Sequence, residues 1–131
     1  MSVKTRELAL KAAESALKKK ALDLIILELS GLTVIADYFV ICSGESTTQV
    51  KAIAEFIEHE FSMNGIRPLG KEGLAFGHWV LLDYSDVIVH IFEKETRAYY
   101  SLDKLWMDAK IIECHEDTSD MGGKDKRALH S

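Results

Sequence analysis

The residues of this sequence best suited to chemistry are two histidines and a cysteine, and their placement argues against catalysis. His78 and His90 fall in two neighbouring strand-like runs. In the predicted hairpin they project from opposite faces, so they would not share a metal ion, and no nearby Cys or His pair has zinc-ligand spacing. Cys42 lies inside an apolar run, where a thiol is usually inert packing. We therefore predict no metal site and no cofactor.

Residues 43–46 (SGES) precede a predicted helix and come closest to a phosphate-cradling turn. Glu45 argues against that role, and neither G-x-x-x-x-G-K-[ST] nor G-x-G-x-x-G occurs. A metal-dependent nucleotidyltransferase needs carboxylates two residues apart on one strand face, whereas Asp83 and Asp86 are three apart across a turn. We predict no catalytic residue and no enzymatic activity. The alternative hypothesis is a nucleotidyltransferase-related enzyme that acts on a nucleotide.

The net charge of −5 is distributed unevenly along the chain. Residues 1–20 carry six Lys or Arg against two acids, and residues 124–131 carry three against one. The remaining residues hold 7 bases against 18 acids. An acidic body repels phosphate backbones and attracts basic proteins. We predict a basic protein partner and no direct nucleic-acid binding by the body.

The composition is that of one globular domain in a reducing compartment. The chain has 131 residues, of which 47% are hydrophobic and 28% charged, enough for one core. We predict a single domain over residues 1–116 and a disordered polar tail over 117–131. No apolar run is long enough to span a membrane, and the start does not resemble a secretory signal. We expect a cytoplasmic protein without a disulfide between Cys42 and Cys114.

Hydrophobic periodicity and turn residues predict an α+β fold. An amphipathic helix in the first 20 residues buries Leu8, Ala12, Ala13, Ala16 and Leu17. A second helix begins at an N-cap, Ser46, with Gln49 reaching back, and ends at Asn64-Gly65. A third is predicted over Tyr100–Trp106. The predicted strands are Ala21–Leu29, Asp37–Ser43, Ile66–Leu69, His78–Leu82 and Val87–Phe92. This αββαβββα order predicts a mixed five-stranded sheet with flanking helices.

The last two predicted strands form a hairpin with two apolar faces. If Asp83–Asp86 is a two-residue turn, Asp83 pairs with Asp86 and Trp79 with His90. One face then holds Trp79, Leu81, Ile88 and His90, and the opposite face holds His78, Val80, Leu82, Val87, Val89 and Ile91. The first face either lies in the core or presents an apolar patch, rimmed by Asp, to a protein partner.

Three segments, DYFVICSGES, KEGLAFGHWVLLDYSDVIVHIF and TRAYYSLDKLWMDA, resemble the ribosomal silencing factor (RsfS, or Iojap-like) family over roughly residues 4–110. The resemblance implies a nucleotidyltransferase-like fold without catalytic carboxylates. It also implies binding to a ribosomal protein on the subunit-joining face of the large subunit. Such binding blocks association with the small subunit and represses translation when nutrients are scarce. Homodimers are implied as well.

The resemblance extends to individual positions of this chain: Asp37, Tyr38, Glu72, Gly73, Trp79, Asp83, Asp86, His90, Arg97, Tyr100, Leu105 and Trp106. For partner binding we predict Trp79, Asp83, Asp86, Tyr100, Gly73 and Arg97. For the dimer interface or the core we predict Tyr38, Tyr99, Leu105 and Trp106. The chain departs from the family at Ser85, where glycine is usual. Glycine adopts a positive φ at no steric cost, so the register of the hairpin depends on how Ser85 is accommodated.

Overall fold

The computed structural model describes residues 3–100 and 109–112. Its helices are α1 (Val3–Lys18), α2 (Thr47–Ser62) and α3 (Lys94–Tyr100). Its strands are β1 (Leu22–Glu28), β2 (Tyr38–Gly44), β3 (Gly70–Glu72), β4 (Trp79–Asp83), β5 (Val87–Glu93) and β6 (Lys110–Ile112). The predicted helix over Tyr100–Trp106 lies outside the described residues except for Tyr100, which ends α3. Cys114 and the predicted tail, residues 117–131, also lie outside them.

The strands form one mixed sheet in the order β3-β4-β5-β2-β1-β6. Strands β2 and β5 are parallel, and the other neighbouring pairs are antiparallel. The predicted α+β class and mixed sheet are confirmed, but the count of five strands is wrong because the described residues alone form six. The missed strand, β6, is only three residues long and pairs with the outer edge of β1, and so short a segment carries little periodic signal.

The predicted strand at Ile66–Leu69 is also wrong. The chain there is irregular, and pairing with β4 starts at Leu69, whose N–H donates to the carbonyl oxygen of Asp83 (2.7 Å). Strand β3 follows directly, with Gly70 opposite Asp83. Pro68 has no N–H to contribute to a ladder, which explains why regular pairing begins only after it.

Helices α1 and α2 both pack on one face of the sheet. The predicted stripe of α2 is confirmed, with Val50, Ile53, Ala54, Ile57 and Phe61 all buried. On α1 the small side chains of Ala9, Ala12, Ala13 and Ala16 are buried, which lets the helix lie close to α2 and the sheet. Beneath them are Val40, Val80, Leu82, Val89 and Ile91. None of the helices within the described residues has both the length and the apolar character needed to cross a membrane.

Both ends of α2 follow from the local sequence. The hydroxyl of Ser46 accepts a hydrogen bond from the Gln49 N–H (3.2 Å), and the Gln49 amide oxygen accepts one from the Glu45 N–H (2.6 Å). The predicted capping is confirmed, except that Gln49 reaches one residue beyond the N-cap. At the other end Gly65 has φ +76°, and Ile66 N–H donates to the carbonyl of Phe61 (3.0 Å). This is a left-handed termination of the Schellman type.

The turn of the β4–β5 hairpin lies one residue further along than predicted. Asp83 pairs with Ile88 and Trp79 with Phe92, so the loop residues are Ser85 and Asp86. Tyr84 is buried against Phe61, with ring centroids 4.7 Å apart, and burying this aromatic ring favours the shifted turn. Moving the turn by one residue changes every cross-strand partner by two. The predicted division of the side chains between the two faces is therefore preserved.

Ser85 occupies the position where the family usually has glycine. Its φ is +74°, a region that side chains other than glycine adopt at some cost. Ser85 N–H donates to a carboxylate oxygen of Asp83 (2.8 Å), and this bond across the turn offsets part of the cost.

Candidate partner-binding surface

The sheet face opposite α1 and α2 carries two of the residues predicted to bind a partner, Trp79 and Asp83. Trp79, Leu81 and Asp83 alternate along β4 on this face, and all three are half-buried. They span about 13 Å, given a rise of about 3.3 Å per residue. The side chains of Ile41 and Phe92, which lie further into the face, are fully buried. Strand β4 therefore presents a row of one aromatic, one aliphatic and one acidic side chain at the margin of an apolar cluster.

An aromatic cluster holds Trp79 in one orientation. The indole stacks on Phe92, with centroids 4.8 Å apart and planes 29° apart. Its Nε1–H donates to Nδ1 of His90 (3.1 Å). His90 in turn packs edge-on against Phe39, with centroids 4.5 Å apart. An aromatic side chain fixed in this way loses little conformational entropy on binding, which suits an interface anchor.

His90 acts here as a neutral hydrogen-bond acceptor. Burial lowers the pKa of His90 to about 4, so the imidazole is uncharged at neutral pH. Because Nδ1 accepts from Trp79, the proton of the neutral ring lies on Nε2, which is buried and has no hydrogen-bond partner among the described residues. His78 is remote from this arrangement, since its Nδ1 faces a carboxylate oxygen of Glu93 (2.8 Å) on the exposed surface.

The acidic hairpin lies at one end of this face. Asp86 is exposed in the turn, and Asp83 closes the turn through Ser85. The Asp86 carbonyl oxygen accepts from the N–H groups of Asp37 (2.8 Å) and Tyr38 (3.1 Å), so the hairpin is fixed to the start of β2. Within the described residues, none of these three carboxylates forms an ion pair. Residues 21–50 and 72–93 contain no Lys or Arg, so the nearby bases come from other elements: Lys4 and Lys11 of α1 line the same cavity as Asp86.

Arg97, predicted for partner binding, has contacts that support the fold. Its Nη1 donates to the carbonyl oxygen of Asp23 (2.6 Å) and to the hydroxyl of Ser43 (3.0 Å). Asp23 has φ +49° and lies where the β1–β2 register shifts. The guanidinium therefore ties α3 to an irregular part of β1 and to the end of β2. A sequence motif alone does not separate this use of an arginine from partner contact.

Gly73 is exposed and precedes β4 by a short loop. Its φ is +87°, and a Cβ atom at this position would overlap the carbonyl oxygen of Trp79. Its own carbonyl accepts from Gly77 N–H (2.9 Å). The glycine thus lets the loop close against the residue that begins β4. It positions Trp79 through the backbone, and its role in partner contact stays a prediction.

The remaining predicted residues divide between the core and the undescribed part of the chain. Tyr38 is buried in the cluster beneath α1 and α2, which places it in the core. Tyr99 and Tyr100 belong to α3, but their side chains lie outside the description. Leu105 and Trp106 fall within residues 101–108, which are not described. Their assignment to a dimer interface or core stays a prediction.

The loop before α2 is occupied by its own capping interactions. The Ser46 hydroxyl accepts from the Gln49 N–H and the Gln49 amide oxygen accepts from the Glu45 N–H, and the Glu45 carboxylate pairs with Lys94 (3.3 Å). Gln49 Nε2 also donates to the carbonyl oxygens of Lys19 and Lys20, both at 3.1 Å. No group of three or more His, Cys, Asp or Glu in the described ranges is arranged to hold a metal ion. Burial raises the pKa of the Cys42 thiol to about 12, so it is protonated and unreactive at neutral pH.

One exposed apolar segment was not predicted from the sequence. In the loop between β1 and β2, Leu32, Val34 and Ile35 are exposed, and Val34 completely so. The available signal was the run LTVIA between Gly31 and Asp37, which is apolar yet too short for a strand. Apolar patterns are interpreted on the assumption that apolar residues are buried. They therefore do not identify apolar residues that a tight loop exposes to solvent.

Comparison with known proteins is decisive about the family. The model of the family described as "Ribosomal silencing factor during starvation" matches residues 2–130. The chain belongs to the ribosomal silencing factor family. The RsfS protein of Bacillus subtilis is 44% identical over 102 residues, which cover 78% of this chain and 86% of that protein. The predicted family and the predicted function of ribosomal silencing are confirmed.

A solved structure and a more distant relative are also similar to this chain. A crystal structure of a Chromobacterium violaceum protein superposes with a TM-score of 0.76 at 34% identity, covering 81% of this chain and 87% of that one. A mouse protein named "Mitochondrial assembly of ribosomal large subunit protein 1" is 30% identical over 92 residues, 68% of this chain and 40% of the mouse protein.

Gly73→Ala should destabilise this RsfS-family chain by about 2–4 kcal/mol, because a left-handed alanine is strained and its methyl group overlaps Trp79. Gly70→Ala is the matched control, since Gly70 has open space around it and no positive φ; it should change stability by no more than about 1 kcal/mol. Chemical denaturation of both variants measures the difference. Equal stability of the two would contradict the close approach of Gly73 to Trp79.

Proposed function

We propose that this chain represses translation by binding a basic protein on the subunit-joining face of the large ribosomal subunit. The bound factor then occupies space that the small subunit needs, so the two subunits do not associate. The cytoplasm is the compartment that this role implies. The observation that carries the proposal is the row of Trp79, Leu81 and Asp83 on β4, next to an acidic turn and on a cation-free stretch of chain.

The energetics of such a contact divide between its two parts. A partly exposed indole, held by Phe92 and His90, can fill an apolar pocket of the partner and supply much of the affinity. The carboxylates of Asp83 and Asp86 lie at the rim, where charges mainly steer encounter and discriminate between partners. A large-subunit target also accords with the name of the mouse relative, which refers to assembly of that subunit.

The family resemblance also leads us to propose a nucleotidyltransferase-like fold that has lost its chemistry. The Glu45 carboxylate at the start of α2 would repel a phosphate, and two N–H groups of this loop, those of Glu45 and Gln49, are already used in capping bonds. This arrangement supports a binding factor over the alternative of an enzyme acting on a nucleotide.

Trp79→Ala should weaken binding to purified large subunits by about 2 kcal/mol or more, roughly thirtyfold, because the partner pocket loses its anchor. The free energy of unfolding should fall by less than the roughly 3–5 kcal/mol expected for emptying a fully buried aromatic site, since the indole is only half-buried. Co-sedimentation with large subunits and thermal unfolding measure the two effects. Unfolding of the variant would show that Trp79 is structural.

Asp83→Lys, measured in the same assays, separates the electrostatic contribution to association from the apolar contribution of Trp79. It reverses a rim charge, so association with a basic partner should slow and the salt dependence of binding should weaken. Stability should change little beyond the loss of the bond from Ser85. If both variants stay folded and bind like the parent chain, the contact surface lies away from β4.

We also propose a homodimer, with Tyr99, Tyr100, Leu105 and Trp106 as the predicted contact residues. The motive is the number of apolar and aromatic residues near the end of the fold, more than three helices can cover. Light scattering of the purified chain should give about twice the 14.7 kDa of one chain. A single 14.7 kDa species at tens of micromolar would contradict the dimer.

No turnover of nucleoside triphosphates is expected, with either magnesium or manganese present. The loop before α2 lacks a triphosphate-cradling motif and carries the Glu45 carboxylate, which would repel phosphates, and Asp83 is engaged in the hairpin turn. Phosphate release and nucleotide transfer are the measurements. A rate that disappears in an Asp83→Ala, Asp86→Ala double variant would support the enzymatic alternative.

A further inference from the structure

The β1–β2 loop presents three apolar side chains to solvent at the acidic end of the sheet. Leu32 is 48% exposed, Ile35 59%, and Val34 completely exposed. Single apolar residues on a surface are common, but three among four consecutive positions form a patch of the kind found at interaction sites. We name these three residues the loop tip.

Hydrogen bonds hold the loop tip in a defined conformation. Leu29 N–H donates to the carbonyl of Asp37 (2.7 Å), which closes the base of the loop. Leu32 N–H bonds back to the carbonyl of Leu29 (2.9 Å), and Ile35 N–H donates to the hydroxyl of Thr33 (3.1 Å). A loop that is already ordered loses little conformational entropy on binding. Burial of its exposed apolar area can therefore contribute to the binding free energy.

The loop is also continuous with the Trp79 face. Leu29 and Ala36, on either side of the loop tip, are buried in the cluster that includes Phe39, Trp79 and Leu81. The hydrogen bonds from Asp37 and Tyr38 to the Asp86 carbonyl join the loop to the β4–β5 turn. The loop tip, the acidic turn and the row on β4 therefore form one connected surface.

We propose that the loop tip is a second apolar contact with the same basic protein, seated in an apolar depression of that protein beside the cations that face Asp37, Asp83 and Asp86. This inference rests on the proposed function and extends its contact surface. Charge selects the occupant. An anionic membrane would be repelled by the three carboxylates, and a second copy of this chain would bring its own carboxylates against them.

The test is a Val34→Ser, Ile35→Ser double variant of the full chain. Large-subunit binding should fall at least about tenfold, because two apolar side chains no longer leave water on binding. Met63→Ser is the matched control: Met63 is 71% exposed at the end of α2, on the helix-covered side, and its replacement should leave binding unchanged. Thermal unfolding should be the same for all three chains. If the double variant melts lower, Val34→Thr, which keeps the shape and loses the apolar character, replaces it.

Four outcomes overturn the inference. If the double variant binds with the parent's affinity while Trp79→Ala binds weakly, the loop tip is not a contact, and the proposed function still holds. Failure of the parent chain to bind large subunits contradicts both the loop-tip contact and the proposed function. A change in dimer mass by light scattering, confined to the double variant, assigns the loop tip to a second copy. Co-sedimentation of the parent with phosphatidylglycerol vesicles, lost in the double variant, assigns it to a membrane.

Discussion

The parallel pairing of β2 with β5 is the interaction on which the rest of the structure depends. Tyr38–Gly44 lies alongside Val87–Glu93 over seven residue pairs, and every residue of β2 is buried. A strand buried on both faces must be covered on both, so its position at the centre of the sheet fixes where helices and aromatic residues can go. It also brings the acidic turn before β5 to the start of β2, where the Asp86 carbonyl takes up two N–H groups.

The two faces of this central pair are covered in different ways. Helices α1 and α2 close one face with alanines and aliphatic side chains, which permit close packing. The other face is built of Phe39, His90 and Phe92, and Trp79 stands at its margin. Because the helices meet the stability requirement on one side, the aromatic face is free to present a half-buried tryptophan in a fixed orientation.

Charge gives this second face its proposed selectivity. The acidic residues of the turn lie on stretches of chain without a single Lys or Arg, while most of the bases are near the two ends of the sequence and on the helices. An apolar anchor on the same face as carboxylates that form no ion pair within the described residues suits a basic protein and disfavours nucleic acid and anionic lipid. The same field makes a dimer through this end unfavourable, in keeping with the proposed dimer contacts on the last segment of the fold.

The sequence by itself determined the features that depend on a few neighbouring residues. Ser46 and Gln49 set the start of α2 and Gly65 its end, because capping bonds connect residues at most five apart. The alternation along β4 and β5 determined which side chains share the face of Trp79, and this assignment survived a misplaced turn because its period is two. The motifs around Trp79 and Tyr100 identified the family.

Only the tertiary structure decided the features that depend on distant partners. Tyr84 is buried because it packs against Phe61, which is distant in sequence. Its burial places the loop of the hairpin at Ser85 and Asp86. Arg97 reached Asp23 and Ser43, which are 74 and 54 residues away in sequence, so a residue predicted for a partner supports the fold. The exposure of Val34 likewise depends on what the rest of the chain leaves uncovered. The local sequence pattern determines which secondary structure a segment forms and which side chains share a face. Which distant residues a side chain contacts depends instead on the burial energy summed over the whole domain.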